Sequence, residues 1–205
     1  MPDFEHVYQP GDGPWTLLLL HGTGGNENDL VPLGRRLVPA ANLLSPRGRV
    51  LENGVSNRFF RRLAIGELDI PDLIERTDEL AEFVVERAAL YDFDPAKTVA
   101  LGFSNGANIA VSLVFRHPEL LAGAALLRPM LPYPVPEQLA LDGKSFLIAA
   151  GARDPYVPST ESIGLGTALE NHGADVEMHM DPGGAHALTE GDLVKTSRWL
   201  IEFTQ

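Results

Sequence analysis

The chain has 205 residues, 16 of them basic and 28 acidic, for a formal net charge of −12 at pH 7. That length suits one domain with a sizeable core, and the acidic surplus argues against nucleic acid or an anionic membrane as the main partner. The sequence holds no cysteine, which excludes disulfides, thiol catalysis and thiolate metal sites. Hydrophobic residues make up 44%, and no stretch has the composition of a disordered segment. The residues from Met1 to His6 lack the basic and apolar regions of a secretory signal. Apolar runs such as Leu17–Leu20 are too short to span a bilayer. A cytoplasmic protein is the expectation, and a homodimer stays open.

Val7 and Tyr8 read as a short strand, closed by the turn cluster Gln9–Pro14. Trp15–Leu20 is a dense apolar run, expected as a central buried strand. A glycine-rich loop, His21–Asn28, follows it. Asp29 is placed to cap a helix running to about Val38, with Leu30, Leu33 and Leu37 on one face. Ala41–Leu44 reads as a strand, and residues 45–66 as an irregular loop rich in Gly, Arg and Asn. Residues 70–90 carry the longest helical pattern. Strands are then expected at 98–102, 123–127, 145–151 and 176–180, and helices at 105–116, 159–171 and 193–203. A proline-rich loop fills 128–136. This alternation predicts an α/β fold: a mostly parallel sheet covered by helices on both faces. One domain over residues 1–205 is expected, with no insertion long enough for a large lid.

The segment with most chemistry is Gly102-Phe103-Ser104-Asn105-Gly106, set between a strand and a helix. A sharp strand-to-helix turn exposes a serine hydroxyl and points helix N–H groups at a developing oxyanion. A serine also needs a base, and the base an orienting acid. Asp154 follows the 145–151 strand, and His186 follows the 176–180 strand on a glycine-rich loop. The chain order Ser, Asp, His is that of the α/β-hydrolase triad. Ser104, Asp154 and His186 are therefore the catalytic candidates.

Each has a plainer rival. A lone G-x-S-x-G is a weak signal, Asp154-Pro155 is also a common turn start, and His172 and His179 are alternative histidines. Asp142 precedes its strand and would lie at the wrong edge of the sheet. The histidines show no metal-ligand spacing, so no metal and no cofactor is implied. Gly22-x-Gly24-x-x-Glu27 is an incomplete dinucleotide fingerprint, and a carboxylate in its third position would repel a pyrophosphate. The better reading of that loop is an oxyanion hole, built from the backbone N–H groups of Thr23 and Asn105. In the arginine-rich loop, Phe59 and Phe60 are candidates to wall a substrate pocket, with Arg58 and Arg61 to hold an anionic or aromatic group. The plainer alternative pairs these arginines with Glu52, Glu67 or Asp69.

Leu20-His21-Gly22-Thr23-Gly24-Gly25, the Ser104 pentapeptide, Asp154-Pro155-Tyr156-Val157-Pro158 and Gly184-Ala185-His186 together resemble the phospholipase/carboxylesterase family of small α/β-hydrolases, relatives of the acyl-protein thioesterases. The resemblance covers essentially the whole chain. Asn105 stands where those thioesterases usually carry Gln, and Ala185 where the family commonly has Gly. Asn57–Arg62 and Ser104–Ala110 look like a bacterial carboxylesterase branch sometimes named for hydroquinone response. The resemblance implies a serine carboxylesterase that takes a small-molecule ester through an acyl-enzyme. The alternatives are a thioesterase or lysophospholipase with the same triad, or a catalytically silent relative that binds or senses a small molecule.

Overall fold

A computed structural model describes residues 4–204; Met1–Asp3, part of the segment read for a signal, and Gln205 lie outside the described residues. Among the described residues no helix is long and apolar enough to cross a membrane. The main sheet has seven strands: β1 (His6–Gln9), β2 (Thr16–Leu20), β3 (Asn42–Pro46), then β8 (Thr98–Phe103), β9 (Gly123–Leu127), β10 (Ser145–Gly151) and β11 (Asp175–Asp181). The spatial order is β1-β3-β2-β8-β9-β10-β11. All neighbours pair in parallel except β1, which lies antiparallel to β3 at the edge. The expected α/β architecture is what the chain adopts.

The strands that read as continuous apolar runs are those buried on both faces, as parallel sheets require. Every residue of β2 and of β9 is buried. Alternate side chains enter two cores. Leu18, Leu20, Ala100, Leu126 and Ile148 face one side, under α2 (Ile70–Tyr91), α3 (Asn105–Arg116) and α4 (Ser159–Glu170). Leu17, Leu19, Leu101, Leu127 and Leu147 face the other, under α1 (Val31–Leu37) and α5 (Glu190–Phe203).

Three expectations are corrected. Asp29 does not cap α1: the N-cap is Leu30, with no side-chain cap, and Pro32 in the first turn removes one of the N–H groups that a cap would satisfy. Residues 45–66 are not irregular. They contain β4 (Val50–Glu52) paired with β5 (Ser56–Arg58), and β6 (Arg62–Ala64), which pairs with β7 (Glu67–Leu68) just beyond. Polar sequence and strands of two or three residues hid these hairpins from a pattern of hydrophobic alternation. Helix α5 starts at Glu190 rather than Leu193, because Thr189 and Asp192 form a capping box.

The tightest fit in the fold lies where α3 leaves the sheet. A Cβ on Gly106 would stand 2.0 Å from the carbonyl oxygen of Leu20. Neither backbone can yield, so α3 and β2 approach only through a glycine. Gly106→Ala should therefore lower the unfolding free energy by about 3 kcal/mol or more. Gly164, inside α4, has nothing within 4 Å of its virtual Cβ. Gly164→Ala should raise stability by about 0.5–1 kcal/mol through helix propensity. Urea denaturation of the two variants checks both signs.

Candidate active site

Ser104 joins β8 to α3 with φ +52° and ψ −113°, a conformation that side-chain-bearing residues rarely adopt. Its N–H donates to the Leu127 carbonyl at 2.8 Å, and its own carbonyl accepts from Asn108 N–H at 2.9 Å. A Cβ on Gly102 would meet Ala107 at 2.8 Å, so the residue on the sheet side of the turn must also be glycine. The strain is held by packing on both sides of the turn.

Asp154 and His186 come to the same edge. Asp154 Oδ1 accepts from the N–H groups of Tyr156 and Val157 at 2.8 and 3.1 Å, which turns Oδ2 toward the histidine. His186 Nδ1 lies 2.7 Å from Asp154 Oδ2, and His186 Nε2 lies 2.8 Å from Ser104 Oγ. A carboxylate only accepts, so Nδ1 carries the proton and Nε2 is free to accept from the serine hydroxyl. The Asp154 side chain is 1% exposed and that of His186 22%, so the acid is sealed while the base reaches the cavity. The Tyr156 ring stands edge-on to the imidazole, 5.1 Å between centroids.

The rival residues do not join this group. His179 lies nearest Asp192, His172 Nδ1 donates to the Ala168 carbonyl, and Asp142 packs against Gly173. Among the described residues no three His, Asp or Glu side chains come together so as to hold a metal ion.

Thr23 and Asn105 border the same cavity of about 300 Å³ as Ser104 and His186. Among the described residues neither backbone N–H has a hydrogen-bond partner. The loop that carries Thr23 is clamped from the β4–β5 hairpin. Gly24 N–H donates to the Asn57 carbonyl at 2.9 Å, Asn57 Nδ2 to the Gly25 carbonyl at 2.9 Å, and Arg58 Nη1 to Thr23 Oγ1 at 2.6 Å.

The substrate candidates divide. Arg58 lines the cavity, but Phe59, Phe60 and Arg61 do not. Phe59 and Phe60 are 2% and 0% exposed and belong to the core with Leu73 of α2. Two adjacent phenylalanines between short polar hairpins are worth more as anchors, since burying each ring gains roughly 1.5–3 kcal/mol. Arg61 is turned away and pairs with Asp69 at 3.1 Å and Asp72 at 3.4 Å. Arg62, which is not among the candidates read from the sequence, also lines the cavity.

Two buried groups that motif reading missed hold the site in place. Arg128, at the end of β9, has a positive φ of 58° and a side chain that is fully buried. Its guanidinium donates to the carbonyls of Ala185 and Ala187, on either side of His186, at 2.8 and 3.1 Å. It also forms a two-pronged pair with Asp192 of α5 at 3.1 and 2.6 Å. Burial alone would raise the Asp192 carboxyl, but Arg128 and the Thr189 N–H outweigh it and hold it below the usual carboxylate range. The available signal was Thr189-x-x-Asp192, a capping-box spacing ahead of the last helix. The second group is His21, 1% exposed. Its Nδ1 donates to the Gly22 carbonyl at 2.7 Å, and its Nε2 accepts from Gly48 N–H at 3.0 Å. Both nitrogens are used by the neutral ring, and burial pushes its pKa down.

Two measurements test these anchors. Arg128→Met and Asp192→Leu should each cost about 3–5 kcal/mol, since each strands a buried charge. The double variant should cost at least about 2 kcal/mol less than their sum in urea unfolding. For His21, the unfolded ring takes up a proton below about pH 6.5 while the folded ring resists it. Its contribution to stability is therefore complete above that pH and falls as pH drops toward the lowered folded value, by up to about 1.4 kcal/mol per pH unit. His21→Gln should flatten the loss of stability between pH 7 and 5.

Residues 9–202 match the phospholipase/carboxylesterase family. The hydrolase MhqD of Bacillus subtilis (strain 168) is 43% identical over 198 residues, which are 97% of this chain and 98% of that one. Among solved structures, the Bacillus cereus carboxylesterase aligns with a TM-score of 0.92 at 50% identity, covering 97% of this chain and 94% of that one. YahD, solved with malic acid, aligns with a TM-score of 0.91 at 31% identity, over 99% of this chain and 100% of its own. Fold, family match and relatives agree, and the chain belongs to the phospholipase/carboxylesterase family of α/β-hydrolases.

Proposed function

We propose that the protein is a serine carboxylesterase that hydrolyses small esters through an acyl-enzyme, with residues 1–205 acting as one domain. The observation that carries this is the chain of contacts from Ser104 Oγ through His186 to Asp154, at 2.8 and 2.7 Å, beginning on a strained turn. Ser104 Oγ attacks the ester carbonyl while His186 Nε2 takes its proton. The Asp154 carboxylate keeps the imidazole in the right tautomer and stabilises its charged form. The N–H groups of Thr23 and Asn105 receive the developing oxyanion. His186 returns its proton to the leaving alcohol and then activates the water that frees the acid. The cavity of about 300 Å³ favours compact esters over the long chains of a lysophospholipase. A cytoplasmic location and a small-molecule partner accompany this reading.

A fluorophosphonate should label one residue, Ser104, and abolish turnover of phenyl acetate. Ser104→Ala should lose the label and reduce kcat by roughly 10⁴-fold or more, with unchanged unfolding by urea. Labelling at another residue, or an active Ser104→Ala, overturns the assignment. Binding of small molecules without turnover would favour the silent relative.

A further inference from the structure

The cavity around Ser104 runs against the charge of the chain. The protein carries −12, yet among the described residues lining the cavity there are two arginines, Arg58 and Arg62, and no Asp or Glu. Arg58 is 3% exposed, and its nearest carboxylate oxygen, on Glu52, stands 3.9 Å from Nε. That carboxylate is already engaged: Arg62 grips it through Nε and Nη2 at 2.8 and 2.9 Å. Two guanidinium groups therefore share one carboxylate, and the other carboxylate at the site, Asp154, is engaged with His186. Burial and the nearby Arg62 charge push the Arg58 guanidinium down to about 10, so it remains charged at neutral pH while lacking a full counter-charge. Arg58 Nε and Nη1 are occupied by the Phe60 carbonyl and Thr23 Oγ1. Among the described residues nothing accepts from Arg58 Nη2 or Arg62 Nη1.

The neutral groups around the cavity have the same polarity. Asn105 Oδ1 accepts from Phe59 N–H at 2.7 Å, and Asn108 Oδ1 from Met130 N–H at 3.0 Å. Those bonds fix both amides with their oxygens on backbone, so each has only its NH₂ left to donate, and that of Asn105 is itself buried without a partner among the described residues. Thr23 Oγ1 accepts from Arg58 and keeps its own proton to donate. Ile65, Leu68 and Met130 give the cavity an apolar side. A small apolar body with one acceptor-rich, negatively charged end matches this lining.

We propose that the cavity selects small esters that bear a carboxylate, received by Arg58 and Arg62. This deepens the esterase reading and rests on it. Two cations with one carboxylate between them can receive a further anion, and the planar guanidinium fork matches the two oxygens of a carboxylate. Glu52 then sets the strength of the subsite without lining it: it cancels one of the two positive charges.

Two matched pairs of esters test this. In 3-acetoxybenzoate and 3-acetoxybenzamide the charge sits on the leaving group; in monophenyl adipate and its monoamide it sits on the acyl chain. The readout is the ratio of kcat/KM, anion over amide, corrected for the alkaline hydrolysis rates. Because both esters are assayed in one preparation, the ratio is independent of how much of a variant folds. The ratio should exceed about 10 in at least one pair, the effect of one charge-assisted hydrogen bond. Arg62→Gln should lower it about 10-fold, since Glu52 then neutralises Arg58, and Glu52→Gln should raise it. A ratio near one in both pairs, or one indifferent to both substitutions, overturns the proposal. Titration of Ser104→Ala with benzoate and with benzamide separates the two levels of the argument. Selective benzoate binding that weakens in Arg62→Gln, in a protein that turns over no ester, upholds the subsite and sinks the esterase reading. Ester turnover with no preference for benzoate sinks the subsite alone.

Discussion

Everything at the candidate site is referenced to one strained peptide unit, the turn at Ser104. A serine at φ +52° is stable only if its surroundings permit no alternative. The permission comes from absent atoms: neither Gly102 nor Gly106 leaves room for a methyl group against Ala107 and Leu20. The sheet supplies the rest. Parallel strands β8, β9 and β10 end at the same edge, and the loops after them carry the serine, Arg128 and Asp154. Side chains from residues 82 apart in the chain thus meet at 2.8 Å without any local motif joining them.

The histidine loop is held by electrostatics as much as by packing. Arg128 binds the carbonyls on both sides of His186 and closes on Asp192 in the last helix. A buried guanidinium with only one carboxylate would gain little over apolar packing. Here it also satisfies backbone carbonyls that no strand or helix reaches, so the ion pair defines a position more than it adds stability. On the esterase reading, it sets the angle at which the imidazole meets the serine.

The framework was readable because it follows periodicity. β2, β8, β9 and β10 are apolar on both faces, and helix α3 begins and ends where its pattern does. Ser104, Asp154 and His186 stood out because each follows a strand. What escaped was set by tertiary contact. The hairpins between residues 50 and 68 are too short and polar for alternation to mark them. Phe59 and Phe60 looked like pocket walls because nothing local says which side of a hairpin faces the core. Arg58, Arg61 and Arg62 are identical in type and close in sequence, yet one is buried, one faces a helix N-terminus and one links the two hairpins through Glu52. Their separate roles follow from burial and from tertiary partners: Arg58 holds Thr23, Arg61 pairs with Asp69 and Asp72, and Arg62 grips Glu52.

Each hairpin pairs only its own two strands, and neither forms part of the main sheet. Such a segment is ordinarily free to vary, and enzymes of one fold diversify through loops of this kind. This one is not free. Arg58 faces the cavity and at the same time holds Thr23, while His21 reaches across to Gly48 at the base of the same segment. A mutation that retuned which molecules enter would also shift the loop expected to stabilise the transition state. Glu52 differs in kind: it meets both guanidinium groups from outside the cavity, so its charge reaches an entering molecule through Arg58 and Arg62 rather than by contact.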